Sequence, residues 1–274
     1  AVVQLLGLLV IATAGATQPK LMLVIYIPLI VIVSIYAAVA MDNIASVGND
    51  TGAAKLALRD RDNAIMSFLY IGTFGSFIGY SFAFGLVLQS QFGNTPLQAA
   101  SLTFIGPLIG SLIRPVGGWL SDRIGGAVVT TWNFVAMALC TVVCIAASGM
   151  GSLPLFVTGF VGLFFFAGIG NGSTYKMIPA IFRRKADLAI AAGTPAEEAL
   201  MNARRISGAA IGLISAVGAL GGLLINLAFR QSFAATKSGT PAFWAFLAFY
   251  VVAVAVTYFV YVRTAKQSEE LAPV

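Results

Sequence analysis

Residues 162–182 read GLFFFAGIGNGSTYKMIPAIF, a run apolar enough to lie in a membrane that nevertheless carries four glycines, a Ser-Thr pair and Lys176. A segment built only to span lipid would be leucine-rich and free of charge. Glycine lets another backbone or a small ligand come close, and a lysine at such depth is costly. The combination points to a path for a small anion through a bundle of helices.

Composition agrees with a membrane setting. Hydrophobic residues make up 59% of the 274, charged ones only 9%, and the mean hydropathy is +0.92. A soluble domain carries about 25% charged residues, so the chain reads as an all-α polytopic membrane protein. Cys140 and Cys144 stand four apart inside an apolar helix and read as two small buried side chains. They imply no disulfide framework, and no metal or cofactor is expected. The chain has no histidine, which removes the commonest proton carrier and metal ligand. An embedded enzyme would need a nucleophile, base or metal set at one depth; without histidine or a deep carboxylate, that class is set aside.

Each crossing needs about 20 apolar residues. Spans are predicted at 1–16, 21–42, 63–89, 97–121, 127–149, 153–182, 205–230 and 241–263. The first is short, with neither an initiator methionine nor the basic leader of a signal peptide. It is expected to be the tail of a helix cut mid-span, which makes the chain a fragment. The expected organisation is 1–42 as the end of one helical unit, 43–62 as a linker with Gly48 and Gly52, and 63–274 as a six-helix unit with a short tail.

Loop charges set the orientation. One side holds Lys55, Arg59, Arg61, Arg123, Arg183, Arg184, Lys185, Arg204, Arg205, Arg263 and Lys266; the other holds only Lys20, Arg230 and Lys237. Positively charged loops stay inside the cell, so the first set and the C-terminus are expected to be cytoplasmic, with 183–204 as a cytoplasmic loop. The basic excess is topological and asks for no nucleic-acid partner.

Two cations remain inside the spans, Arg114 and Lys176. At the helical rise they lie roughly 12 Å and 10 Å from the cytoplasmic edge, within a hydrocarbon core about 30 Å thick. Each costs about 2.5–3.5 kcal/mol to insert, and every Asp and Glu sits in a loop, at a helix end or in the tail, so no deep carboxylate offsets them. Lys176 can snorkel to the interface on its long stem; for Arg114 the distance is harder to bridge. The better reading makes the missing anion the substrate. A guanidinium offers parallel N–H donors in a fixed fork and does not lose its proton, and Pro115 can bend the helix towards a cavity. If protons are coupled to transport, Lys176 is the deep residue of titrating type. Gly72, Gly75 and Gly79 form a smooth packing face, as do Gly208, Gly212, Gly218, Gly221 and Gly222 with Ser215 among them. Tyr70 and Phe74 share a face at i, i+4, either beside a site or as core or lipid-facing rings.

GGWLSDRIGG at 117–126 resembles the cytoplasmic loop signature of the major facilitator superfamily. GIGNGSTYKMIP at 168–179 resembles the second nitrate signature of the NarK-type nitrate/nitrite porters. YIGTFGSFIG at 70–79 and GPLIGSLIRPVGG at 106–118 are similar to that family's seventh and eighth helices, in order and spacing. The resemblance covers essentially the whole chain and makes the eight segments helices 5 to 12.

What the resemblance implies is specific. Arg114 would grip nitrate together with a partner arginine in the missing N-terminal half, which the complete site needs. Tyr70 and Phe74 would border the substrate, with Phe74 stacking on the planar anion. Gly170, Asn171, Gly172, Ser173 and Thr174 would let the tenth helix approach the path and move, with Gly75 and Ser215 as further path candidates. Gly117, Gly118, Asp122, Arg123 and Gly126 would govern gating, Asp122 through contacts near the start of the eleventh helix, where an N-terminal dipole attracts it. Many family members carry glutamine where this chain has Lys176. The implied activity is nitrate uptake, and nitrite with it, by alternating access in the cytoplasmic membrane. It would run as a monomer coupled to protons, with nitrate/nitrite antiport as the alternative. A carrier or channel for another small anion is the weaker one.

Overall fold

The computed structural model describes Leu6, Gly7, Leu9, Val10, Ala12 and residues 20–41 and 50–264. Apart from those five residues the expected span at 1–16 lies outside the described residues, as do the linker stretch with Gly48 and the tail with Lys266. Where the structure is described it is helical, and seven helices are long and apolar enough to cross a membrane. They are α1 (Lys20–Ala40), α3 (Arg61–Phe92), α4 (Pro96–Ile124), α5 (Gly126–Met150), α6 (Leu153–Ala191), α7 (Ala196–Thr236) and α8 (Thr240–Val262); α2 (Thr51–Arg59) is short and lies within the predicted linker. The fold class read from composition and hydropathy is the one observed.

Sequence chemistry fixes the ends. Thr95 and Gln98 form a capping box at the start of α4, with Pro96 at the first helical position, where the missing N–H costs nothing. Gly125 (φ +90°) turns the chain from α4 into α5 in one residue, a conformation open mainly to glycine. Asp50 caps α2 by accepting from the Ala53 amide at 2.9 Å. That bond, with the Arg205 side chain on α7, holds the Asp50 carboxyl below its ordinary range.

Two lengths differ from the sequence reading. α6 runs 39 residues and α7 runs 41, about 60 Å each at the helical rise, twice the hydrocarbon thickness. The stretch 183–204 is therefore mostly helix, with only 192–195 between the two. The Arg-Arg-Lys run at 183–185 marks where the apolar slab ends; it does not mark where the helix ends. At the end of that run Lys185 Nζ lies 2.6 Å from carboxylate oxygens of both Asp60 and Asp62. Tyr261 donates to Asp62 at 3.1 Å, so the junction between the end of α2 and the start of α3 is tied to α6 and α8.

α6 sits centrally, packed on α5, α4, α7 and α3, while α8 backs α5. Its first half is an aromatic plug. Phe156, Phe160 and Phe164 are fully buried with Tyr80, Phe84 and Phe243, and Phe84 stacks on Phe160 at 4.3 Å and 9°. In lipid such contacts hold helices by packing rather than by exclusion of water, each ring pair adding about 0.5–1.5 kcal/mol. The other half of α6 carries the polar residues and faces the site. Within α3, Ile71–Gly75 is one wide π-type turn, a feature common where a helix lines a functional site.

Candidate functional site

The site begins with a crossing of α4 and α6 at backbone contact. A Cβ on Gly117 would fall 2.2 Å from the Ile169 carbonyl oxygen, one on Gly168 would fall 2.2 Å from the Gly110 oxygen, and one on Gly172 would fall 2.3 Å from the Arg114 oxygen. No side chain fits at these three places. The close approach puts Arg114, Gly118 and Asp122, spaced i, i+4, i+8 along one face of α4, beside Asn171, Tyr175 and Lys176 of α6.

Between them lies an open cavity of about 570 Å³, to which α3 contributes Tyr70. The Arg114 guanidinium carbon sits 4.3 Å from the Phe77 ring centre and 6.0 Å from that of Phe74. Its buried Nε has no hydrogen-bond partner. Tyr70 stacks on Phe74 at 5.1 Å and 22° and donates its hydroxyl to Asn171 Oδ1 at 2.8 Å. That bond fixes the amide, and the buried Asn171 Nδ2 is left without a partner. Leaving a buried donor unpaired costs about 1–3 kcal/mol. Two such donors and an aromatic wall that keeps the local dielectric low suit a small, flat acceptor of hydrogen bonds carrying negative charge. There is no nucleophile–base pair in the arrangement.

Lys176 is not without a counter-ion, contrary to the sequence reading. Its Nζ lies 2.8 Å from Asp122 Oδ2, both side chains being about half exposed (49% and 60%). Asp122 stands at the end of α4 and was counted outside the apolar spans, but the helix crossing brings it to the lysine. This pairing replaces the implied contact of Asp122 near the start of the eleventh helix, which is α7. Arg123 points elsewhere, its guanidinium 4.2 Å over the Trp119 ring.

The remaining candidates divide. Gly118, Asn171 and Gly172 line the cavity. Gly170 does not: a Cβ there would meet Asn133 Nδ2 at 2.3 Å and Thr73 Cγ2 at 2.6 Å. Ser173 bonds Thr130 at 2.8 Å and Thr174 bonds Thr73 at 3.2 Å, so these three seal α6 to α3 and α5 behind the cavity. Gly126 seats Met177, whose Cγ would be 2.6 Å from an added Cβ. Gly75 meets Gly218 and Gly221 where α3 crosses α7, and Ser215 lies partly exposed on α7 away from the cavity. Of the second glycine face, Gly218, Gly221 and Gly222 pack on α3, whereas Gly208 and Gly212 meet nothing within 4 Å. Phe77, Trp119 and Tyr175 were missed by sequence reasoning. Phe77 had a signal, the 70/74/77 spacing of one helix face; Trp119 and Tyr175 are placed by the crossing alone.

No family model matches the chain. The chain is similar to the nitrate/nitrite transporter NarU of Salmonella typhimurium strain LT2, 39% identical over 87% of this chain and 52% of that protein. It is equally similar to NarU of Escherichia coli strain K12, 39% identical with the same two coverages. The probable nitrate/nitrite antiporter NarK2 of Thermus thermophilus is 34% identical over 75% of this chain and 43% of its own length. The chain thus spans about half the length of the curated relatives it matches. All three carry the names of transporters, and none that of an enzyme.

Proposed function

We propose that this chain, which belongs to the NarK-type nitrate/nitrite porter family of the major facilitator superfamily, supplies one half of a substrate path that carries nitrate, and nitrite with it, across the cytoplasmic membrane. α3 to α8 form the C-terminal half, α1 ends the N-terminal half, and the C-terminus lies in the cytoplasm. The observation that carries this reading is that Arg114 and Asn171 both line one cavity, and each keeps a buried side-chain nitrogen without a partner. Nitrate is planar, singly charged and an acceptor at every oxygen, which suits a cavity lined by a guanidinium and a side-chain amide. Tyr70 holds the Asn171 amide in place, and Phe74 and Phe77 keep water from the arginine. Access alternates by rocking of the two halves about this site.

For coupling, we favour protons entering with nitrate. The support is Lys176, a cation that lines the cavity. Exchange of nitrate for nitrite is the second reading, favoured by the name of the Thermus thermophilus relative. Proteoliposomes holding the full-length protein separate them, with uptake driven by an imposed pH gradient or by internal nitrite. At saturating nitrate, Lys176→Gln is expected to reduce the pH-driven component about tenfold or more, as loss of a coupling group would. Uptake that responds only to internal nitrite sinks the proton reading, and unchanged coupling in the variant removes Lys176 from the role.

A further inference from the structure

Lys176 has two possible anions within reach on the same face of α4. Its stem lies over Gly118, where an added Cβ would be 3.6 Å from Cε and 3.8 Å from Cγ. Arg114 is one turn along α4 in one direction and Asp122 one turn in the other, each about 6 Å away along the axis. Gly118 presents no side chain between them, so the four-methylene stem can lie either way. In the structure it lies towards Asp122. That pair is half exposed, the class of ion pair that contributes least and is most easily exchanged.

We infer that Lys176 is a shared cation, held by Asp122 when the cavity is empty and handed to the anion when Arg114 is loaded. Asp122 is then a competitor of the substrate. Filling the cavity releases its carboxylate at the charged end of α4, while a second positive charge closes on the anion. A lone lysine would hold the anion without a sensor, and a permanent lysine–aspartate pair would lend it no charge; a stem lying across a glycine between two anions does both. The inference rests on the proposed anion transport and adds to it the residue that senses occupancy.

The test is equilibrium binding of nitrate to the purified full-length protein in detergent, read by titration calorimetry for the wild type, Asp122→Asn, Lys176→Gln and the double variant. Asp122→Asn is expected to tighten nitrate about three- to fivefold by removing the competitor. Lys176→Gln is expected to weaken it roughly tenfold. In the Lys176→Gln background, Asp122→Asn should change nothing, since the competition no longer exists. Tightening that persists there would mean that Asp122 acts on the balance of conformations and would overturn the inference; so would an Asp122→Asn protein that binds nitrate no better than wild type. Asp122→Ser repeats the comparison, so that the result does not hang on one variant. Arg114→Lys separates the two levels. If it abolishes binding while the cycle is additive, only the shared-cation inference fails. If the wild type does not bind nitrate, or Arg114→Lys binds it unchanged, the transport reading falls and the inference with it.

Discussion

Arg114→Lys in the full-length protein is expected to raise the nitrate concentration for half-maximal uptake by about 10- to 150-fold. The charge is kept, so a purely electrostatic role would survive the change. What is lost is the planar fork, whose Nε is buried and unpartnered and whose central carbon sits 4.3 Å from the Phe77 ring centre. A lysine presents a point charge with no orientation fixed by that packing. A hydrogen bond to a charged group is worth about 1.5–3 kcal/mol, which sets the expected range. Radiolabelled uptake into proteoliposomes measures it, and a variant with wild-type half-saturation would refute the forked grip.

The second large effect concerns neighbours of identical type. Gly117→Ala puts a Cβ 2.2 Å from the Ile169 carbonyl oxygen, backbone against backbone. Neither helix has a flexible side chain to move aside, so α4 and α6 must separate. Overpacking commonly costs about 1–3 kcal/mol, and here the upper part of that range is expected. Gly118→Ala, one residue on, meets only Lys176 Cε at 3.6 Å, an ordinary contact, and gains about 1 kcal/mol of helix propensity. The apparent melting temperature of the purified protein should therefore fall sharply for Gly117→Ala and hold or rise for Gly118→Ala. Equal melting of the two would show that the crossing is looser than described.

The contrast between these glycines marks what the amino-acid sequence could reveal. Hydropathy located each described span, because lipid selects apolar side chains one residue at a time. It misplaced the end of α6, because the helix continues into water past Arg183 while hydropathy registers only the slab. Arg114 and Lys176 were legible as misplaced charges. Their surroundings were not: Asp122 meets Lys176 across 54 residues of sequence, and only the depth of the glycine crossing brings them together. The same geometry decides that Asn171 faces the cavity while Gly170, Ser173 and Thr174 face the bundle. A residue string gives the helical period, but the rotation of the helix about its axis is set by its neighbours.

The crossing also acts as a splint. Where backbone touches backbone there is no layer of side chains to slip or repack. α4 and α6 therefore move as a single strut, and the Cα atoms of Arg114 and Lys176 keep one separation however the bundle rocks. Any cycle built on this half has to treat that spacing as a constant, leaving the lysine's rotamer and the joints around the strut as its moving parts.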